Sequence, residues 1–189
     1  MDLVFYDFET TGKEPHWDQI LQVGATRVSK EFNEIDTFEI RCRLKPGLIP
    51  SPFALTVNNT DYAKLIKTEC SHYEMLCKIE DKFTKWSPSI FIGYNSINFD
   101  EEFLRNSFFR ALLDPYLTSR NNNNRADLLE LLRTVDFFFP DTINIPVNKK
   151  NKKTFKLDQI APANSITHFA HDALGDVIAT KKLAHLILQ

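Results

Sequence analysis

The sequence has no long apolar run and no excess of basic residues. No segment approaches the roughly eighteen uninterrupted apolar residues of a membrane-spanning helix, and Met1 runs straight into a strand-like segment with no room for a signal peptide. We therefore expect a cytoplasmic protein with no membrane association. The formal charge is −2 at pH 7, so binding to a polyanion must be local or assisted by a metal.

Cysteine is scarce, and its spacing is wrong for a zinc site. The chain has only Cys42, Cys70 and Cys77, which are odd in number and lack zinc-knuckle spacing, so we predict free thiols in a reducing compartment. No repeat, linker or compositional break divides the 189 residues, of which 43% are hydrophobic. These features predict one domain over residues 1–189 with a substantial core.

Two acids interrupt the otherwise nearly apolar segment 3–12. Asp7 and Glu9 point to one face if this segment is a strand, about 6.6 Å apart along its axis. Carboxylates this close disfavour each other's ionisation unless a cation neutralises them, and a hard divalent metal is the simplest partner. The alternative is a solvated strand end followed by a turn at Gly12, and this segment alone does not decide between the two.

The rest of the chain alternates between strand-like and helical patterns. Segments 19–28 and 35–44 predict an antiparallel hairpin beside the first strand, and apolar segment 89–95 is typical of a buried parallel strand. Helical spacing is predicted at 60–66, 71–86, 101–113, 126–137, 156–160 and 171–188. The fold class is therefore α/β, with a mixed β-sheet of about five strands flanked by helices.

Further chemistry-bearing residues lie at element ends. Asp100 lies where a strand gives way to a helix, His171 opens the last helix, and Asp176 follows about 7.5 Å further along the axis. This offset lets a carboxylate hold a metal while an imidazole approaches water. The alternative is that His171 and Asp172 cap the helix and Asp176 faces solvent. Asp176 has apolar neighbours and needs a partner, whereas Asp172 is favoured by the helix dipole and is interpreted as structural.

Two other runs have competing interpretations. Phe137-Phe138-Phe139 is predicted to pack in the core rather than to form a base-stacking platform, because large apolar runs are usually buried. The basic run 149–153 is predicted to be a solvated loop, with phosphate binding as the alternative.

Three motifs together resemble those of the DEDD 3′→5′ exonuclease superfamily. Segments 7–12 (Asp-Phe-Glu-Thr-Thr-Gly), 98–100 (Asn-Phe-Asp) and 171–176 (His-Asp-Ala-Leu-Gly-Asp) match its histidine branch, DEDDh. The tyrosine branch of the superfamily has Tyr four residues before the last Asp. That position is residue 172, which is Asp here, so the tyrosine branch is excluded. The intervening runs resemble the exonuclease domain of the bacterial exonuclease I family, from Asp2 to Leu188. Members of that family carry further domains, so we expect residues 1–189 to be a single DEDDh domain without them.

This resemblance implies a ribonuclease H-like fold and release of 5′-mononucleotides from 3′ ends of single-stranded DNA. It implies that four acids hold two Mg²⁺ ions, or Mn²⁺ instead, with Asp7 bridging both and His171 as general base. The implied catalytic residues are Asp7, Glu9, Asp100, His171 and Asp176. The implied substrate contacts are Thr10, Thr11, Tyr94, Asn95 and Phe99.

Two alternatives stay open beside this interpretation. The same chemistry could act on RNA or short oligonucleotides, or the chain could be a non-catalytic nucleic-acid-binding module. Single-stranded DNA ends and DNA repair or replication proteins are the expected partners, and the oligomeric state is undetermined.

Overall fold

The first strand lies at the centre of a five-stranded mixed sheet. The computed structural model describes residues 1–57, 61–168 and 172–188. The strands are β1 (Asp2–Thr10), β2 (Ile20–Val28), β3 (Glu34–Arg41), β4 (Ser89–Gly93) and β5 (Asn124–Asp127). Their order across the sheet is β3-β2-β1-β4-β5. β2 is antiparallel to β1 and β3, whereas β4 is parallel to β1 and β5. The predicted mixed sheet, with a hairpin beside the first strand, is confirmed.

Helices cover both faces of this sheet. They are α1 (Pro52–Val57), α2 (Tyr62–Lys67), α3 (His72–Lys85), α4 (Asp100–Ala111), α5 (Leu128–Phe138), α6 (Leu157–Ala163) and α7 (Ala173–Leu188), with a 3₁₀ helix at Leu117–Ser119. α3 and α4 pack on one face, and α5, α6 and α7 pack on the other. Within the described residues, no helix combines the length and apolar character needed to cross a bilayer.

Alternation along β1 decides which face receives its acids. Val4, Tyr6 and Phe8 enter the core beneath α3 and α4, whereas Phe5 enters the core beneath α5, α6 and α7. Asp7 and Glu9 are at odd-numbered positions like Phe5, so they face the side on which α7 lies. β1 thus builds both cores and turns its two carboxylates toward one helix.

The fifth strand differs from the sequence prediction. Helical spacing predicts that a helix begins at residue 126, but β5 extends to Asp127 and α5 begins at Leu128. β5 pairs with β4 from Ile90↔Asn124 to Gly93↔Asp127, which satisfies the backbone groups along the open edge of β4. A short polar edge strand lacks apolar alternation, so its pairing could not be inferred from local pattern.

The predicted core packing of the phenylalanine run is wrong. Phe137, Phe138 and Phe139 are 78%, 65% and 66% exposed. The buried residues of α5 are Leu128, Leu129 and Leu132, all in its first half, so its last turn extends beyond the core.

Candidate active site

Three carboxylates from two elements converge at one point. Ligand-type oxygen atoms of Asp7, Glu9 and Asp176 all lie within 4.8 Å of one another. β1 supplies the first two, and the first turn of α7 supplies the third. The pair predicted from strand alternation and the acid predicted on the last helix are therefore brought together.

A glycine in β2 permits this convergence. Gly24 lies opposite Asp7 in the antiparallel pair. A Cβ atom at residue 24 would come within 2.6 Å of the backbone of Ala173 and Leu174, a distance that side-chain carbon cannot occupy. Because residue 24 has no side chain, the start of α7 lies directly on the sheet and Asp176 reaches the β1 acids.

The fourth acid is attached to β1 by a hydrogen bond. Asp100 is the first residue of α4 and is only 2% exposed. Its Oδ1 accepts a 3.0 Å hydrogen bond from the backbone N–H of Phe8, the residue between Asp7 and Glu9. The parallel pairing of β4 with β1 extends only to Phe5↔Ile92, so the Phe8 N–H lies beyond the paired residues. Asp100 therefore lies next to the three-carboxylate cluster, although its oxygen atoms are not part of it.

Burial and neighbouring negative charge raise the pKa values of Asp7, Glu9 and Asp100. Burial, followed by the charges of Asp100, Asp176 and Glu9, raises the pKa of Asp7 well above its usual range. Burial and the charges of Asp176 and Asp172 raise the pKa of Glu9 to about 8. Burial also raises the pKa of Asp100, opposed by its backbone hydrogen bond. A cluster of oxygen donors with raised pKa values fits a hard divalent cation, which would favour their ionised forms.

A cavity of about 630 Å³ opens over the carboxylates. Of the predicted substrate contacts, its lining includes Thr10, Tyr94, Asn95 and Phe99. Thr11 is an exception: it is fully buried, and its hydroxyl donates to Asp18 Oδ1 at 2.8 Å. The Thr11 side chain therefore stabilises the turn after β1, and its contact with the terminal sugar stays a prediction.

Several lining residues were not identified from the sequence. Lys13 and Phe53 also line the cavity, and the Lys13 ammonium lies 5.7 Å from the centre of the Phe53 ring. Phe53 belongs to α1, which was not predicted because the prolines at positions 46, 50 and 52 are typical of a loop. Pro52 occupies the first position of that helix, where a missing N–H costs nothing, and this could have indicated a helix start.

The predicted general base, His171, lies outside the described residues. A different histidine contacts the cluster: His168, buried, has its Nε2 in hydrogen-bond contact with Asp176 Oδ1. His168 was not singled out from the sequence, since nothing local distinguishes it from a loop histidine.

Asp172 has the structural role that its position predicted. Its Oδ2 accepts from the Gly175 N–H at 3.2 Å, in the first turn of α7. Its Oδ1 accepts from Arg41 at 2.8 Å and from Gln22 Nε2 at 2.9 Å. Asp172 thereby links the start of α7 to β2 and β3, and its negative charge is paired with the Arg41 guanidinium.

Asp127 holds the loop that carries Tyr94 and Asn95. Its Oδ1 accepts from the backbone N–H groups of Asn95 (2.9 Å) and Leu129 (3.0 Å), and its Oδ2 accepts from Ile97 N–H at 3.1 Å. One buried carboxylate thus caps α5 and fixes the loop after β4. An acid directly before an apolar helical run is a cap signal, but its second role depends on the tertiary structure.

Comparison with known proteins finds exonucleases in both sequence and structure. A model of the RNase T family, described as exonuclease, matches residues 4–184. Exodeoxyribonuclease I of Buchnera aphidicola subsp. Baizongia pistaciae is 37% identical over 192 residues, covering 100% of this chain and 40% of that protein. Exodeoxyribonuclease I of Escherichia coli K12 is 34% identical over 187 residues, covering 97% of this chain and 39% of that protein.

A solved structure of E. coli exonuclease I in complex with a dA16 oligonucleotide has the same fold. It matches with a TM-score of 0.92 and 32% identity, covering 98% of this chain and 40% of the other chain. The present chain thus spans about 40% of the length of these relatives.

Proposed function

This chain belongs to the RNase T exonuclease family, and from that premise we propose that it removes 5′-mononucleotides from the 3′ end of single-stranded DNA. The observation that carries the proposal is the convergence of Asp7, Glu9 and Asp176 within 4.8 Å, with Asp100 bonded to the same strand. The names of the relatives and the dA16 oligonucleotide in the solved relative support DNA as the substrate. A cytoplasmic location and partners in DNA repair or replication are part of the same proposal.

The carboxylates fit divalent metal ions. The donors are oxygens, and burial and neighbouring carboxylates raise the pKa values of Asp7 and Glu9, so a cation would favour their ionised forms. We propose two Mg²⁺ ions, with Mn²⁺ as a substitute: Asp7, Glu9 and Asp176 would hold one, and Asp7 and Asp100 the other. When bound, such ions supply positive charge to the attacking and leaving oxygens of the phosphodiester.

The chain's own side chains would position the strand and move the proton. Tyr94 and Phe99, in the lining of the cavity, offer aromatic faces on which bases of any sequence can stack. Thr10 lies at the end of β1 next to the acids and would contact the terminal sugar. His171 would accept the proton of the attacking water, a task suited to an imidazole near neutral pH.

The test is digestion of 5′-labelled single-stranded DNA, duplex DNA and RNA of matched sequence, with Mg²⁺. We expect stepwise shortening of single-stranded DNA from the 3′ end. Asp7→Asn and Asp176→Asn should abolish it, His171→Ala should slow it at least ~100-fold, and circular dichroism should show an intact fold. Asp81→Asn is the matched control and should stay active, because Asp81 is an exposed acid of α3, on the opposite face of the sheet from α7.

Each result bears on one part of the proposal. Unchanged activity in Asp7→Asn or Asp176→Asn would refute the site. RNA trimming equal to or faster than DNA trimming would refute the DNA preference. Binding without cleavage by the unmodified chain, in Mg²⁺ and Mn²⁺ alike, would show a non-catalytic module. Metal titration should rank Asp7→Asn as more damaging than Glu9→Gln, because Asp7 is proposed to contact both ions.

A further inference from the structure

A lysine-rich loop, residues 146–154 (the basic loop), lies outside the carboxylate site. Between Asp141 and Asp158 the sequence has five lysines and no acid, although the whole chain has a formal charge of −2. These lysines are Lys149, Lys150, Lys152, Lys153 and Lys156. Within the described parts of the chain, only Lys153 of the five takes part in an ion pair, with Asp136 at 2.7 Å. The basic loop is therefore a local concentration of uncompensated positive charge.

Backbone contacts give the basic loop a defined shape. Val147 and Lys153 form an antiparallel bridge. Asn148 closes the tip: its N–H donates to Lys152 C=O at 2.8 Å, and its Oδ1 accepts from the N–H groups of Lys150 (2.8 Å) and Lys152 (3.2 Å). Lys153 ties the base of the loop to α5 through both oxygens of Asp136. The lysines at the tip are thus held on a fixed turn.

The basic loop forms a wall of a second cavity that is continuous with the active site. This cavity, of about 860 Å³, is lined by Asn148, Lys153 and Thr154 of the basic loop and also by Asp176 of the carboxylate cluster. The two cavities share the residues Lys13, Phe53, Val57, Tyr94, Asn95 and Asp176.

A hydrogen bond fixes the segment after the basic loop to the active-site wall. The Tyr94 hydroxyl donates to the backbone carbonyl of Phe155, and Tyr94 lines both cavities. The Phe155 ring also faces the Arg133 guanidinium, 6.0 Å from the ring centre. The segment directly after the basic loop is therefore held against a wall that the two cavities share.

We propose that the basic loop binds backbone phosphates of the single strand several nucleotides upstream of its 3′ end, and that Lys149, Lys150 and Lys152 make these contacts. This inference rests on the proposed function, since the strand would reach the loop through the two joined cavities. Lysine ammonium groups bind phosphate as point charges without reading sequence. Aromatic residues along the path suit unpaired bases, so the chemistry fits a single-stranded polynucleotide.

The test compares two triple variants with equal net charge. Lys149→Gln/Lys150→Gln/Lys152→Gln removes the charge at the tip of the basic loop. The matched control Lys30→Gln/Lys78→Gln/Lys85→Gln removes three exposed lysines elsewhere; Lys78 and Lys85 belong to α3, on the opposite face of the sheet. Binding of fluorescein-labelled oligo(dT) of about 4 and about 16 nucleotides is measured by anisotropy in EDTA, over a range of salt concentrations.

We expect the loop variant to bind the long oligonucleotide about tenfold or more weakly than the unmodified chain. The slope of log affinity against log salt should fall by about 2, because each lost phosphate contact on a single strand contributes ~0.7. Binding of the short oligonucleotide and its hydrolysis rate in Mg²⁺ should stay unchanged, as should both properties in the control. Asn148→Ala, which removes the turn contacts but no charge, should weaken binding of the long oligonucleotide by a smaller factor.

The outcomes separate this inference from the proposed function. If the unmodified chain neither binds nor digests single-stranded DNA, the proposed function fails. If it does both, but the loop variant keeps the salt slope and affinity of the unmodified chain, only the basic-loop proposal is overturned. An equal loss in the control variant also overturns it, since the effect would then reflect net charge alone.

Discussion

The Tyr6 hydroxyl donates a 2.6 Å hydrogen bond to Glu101 Oε1, which joins the residue before Asp7 to the residue after Asp100. The other oxygen of Glu101 accepts from Thr118 at 2.8 Å and pairs with Arg125 at 3.0 Å. Tyr6 and Glu101 are 2% and 3% exposed. A buried network on the α4 side of the sheet therefore fixes β1 relative to α4. It thereby also fixes Asp7 of β1 relative to Asp100 of α4.

Breaking this network should cost stability. Tyr6→Phe leaves a buried carboxylate oxygen without its donor, so we expect the free energy of unfolding to fall by about 1–3 kcal/mol. Glu101→Gln removes the charge that Arg125 faces and should cost a similar amount or more. Urea titration measures both. The neighbouring Glu102→Gln, at a half-buried pair with Arg105, is the control and should change stability by less than about 1 kcal/mol.

The three-way hydrogen bonding of Asp127 predicts a combined effect on stability and substrate binding. Asp127→Ala removes the cap of α5 and frees the N–H groups of Asn95 and Ile97, so we expect a loss of about 2–4 kcal/mol. Because the loop carries Tyr94 and Asn95, KM for single-stranded DNA should also rise several-fold.

Ser71 provides the matched control for Asp127. Ser71 caps α3 through a hydrogen bond to Glu74 N–H, and α3 lies on the opposite face of the sheet from α5. Ser71→Ala should destabilise the chain by about 1 kcal/mol and leave KM unchanged. If KM rises in proportion to the loss of stability in both variants, Asp127 has no separate role in positioning the loop.

Periodicity along the chain predicted the parts of this molecule that depend on local pattern. The alternation of β1 placed Asp7 and Glu9 on one face, and helical spacing placed Asp176 near the start of the last helix; the structure confirms both. Three features depend instead on contacts between distant residues. The β5 strand forms because β4 offers an unpaired edge. Asp127 reaches a loop about thirty residues earlier in the chain, and Gly24 matters only because α7 lies over it. No local pattern encodes such contacts, and the exposed Phe137–Phe139 run shows that apolar character alone does not establish burial.

The raised pKa of Glu9 predicts that, without metal, the chain becomes less stable as pH rises. Its ordinary value is 4.5, and in the fold it is about 8. Between these values the folded state holds more protons than the unfolded state, so stability falls with increasing pH. A divalent cation should offset this loss. The increase in Tm caused by Mg²⁺, relative to EDTA, should therefore be larger at pH 8 than at pH 6, with each 1 kcal/mol giving ~2–4 °C.

Glu9→Gln tests the origin of this dependence. Without the titrating carboxyl, the decline of Tm in EDTA between pH 5 and pH 8 should become shallower, whereas Glu102→Gln should keep the slope of the unmodified chain. A Mg²⁺ effect that is equal at both pH values would contradict the prediction.

A buried histidine predicts the opposite pH dependence at another location. His72, the first residue of α3, is 5% exposed, and its Nε2 has no hydrogen-bond partner among the described residues. Burial, followed by the charges of Lys45 and Arg110, lowers its pKa from 6.5 to about 3. Between these values the unfolded chain binds more protons, so this residue makes the fold less stable as pH falls from 6.5 toward 3.

Replacing His72 by leucine should remove that acid sensitivity. An apolar side chain of similar size loses no hydrogen bond at Nε2, so His72→Leu should be close to neutral at pH 7. At pH 4.5 it should be more stable than the unmodified chain by roughly 2–3 kcal/mol, measured by urea titration at both pH values. His16→Leu, at an exposed histidine, should keep the pH dependence of the unmodified chain. A His72→Leu variant that loses stability equally at both pH values would mean that the imidazole is held by a contact rather than merely buried.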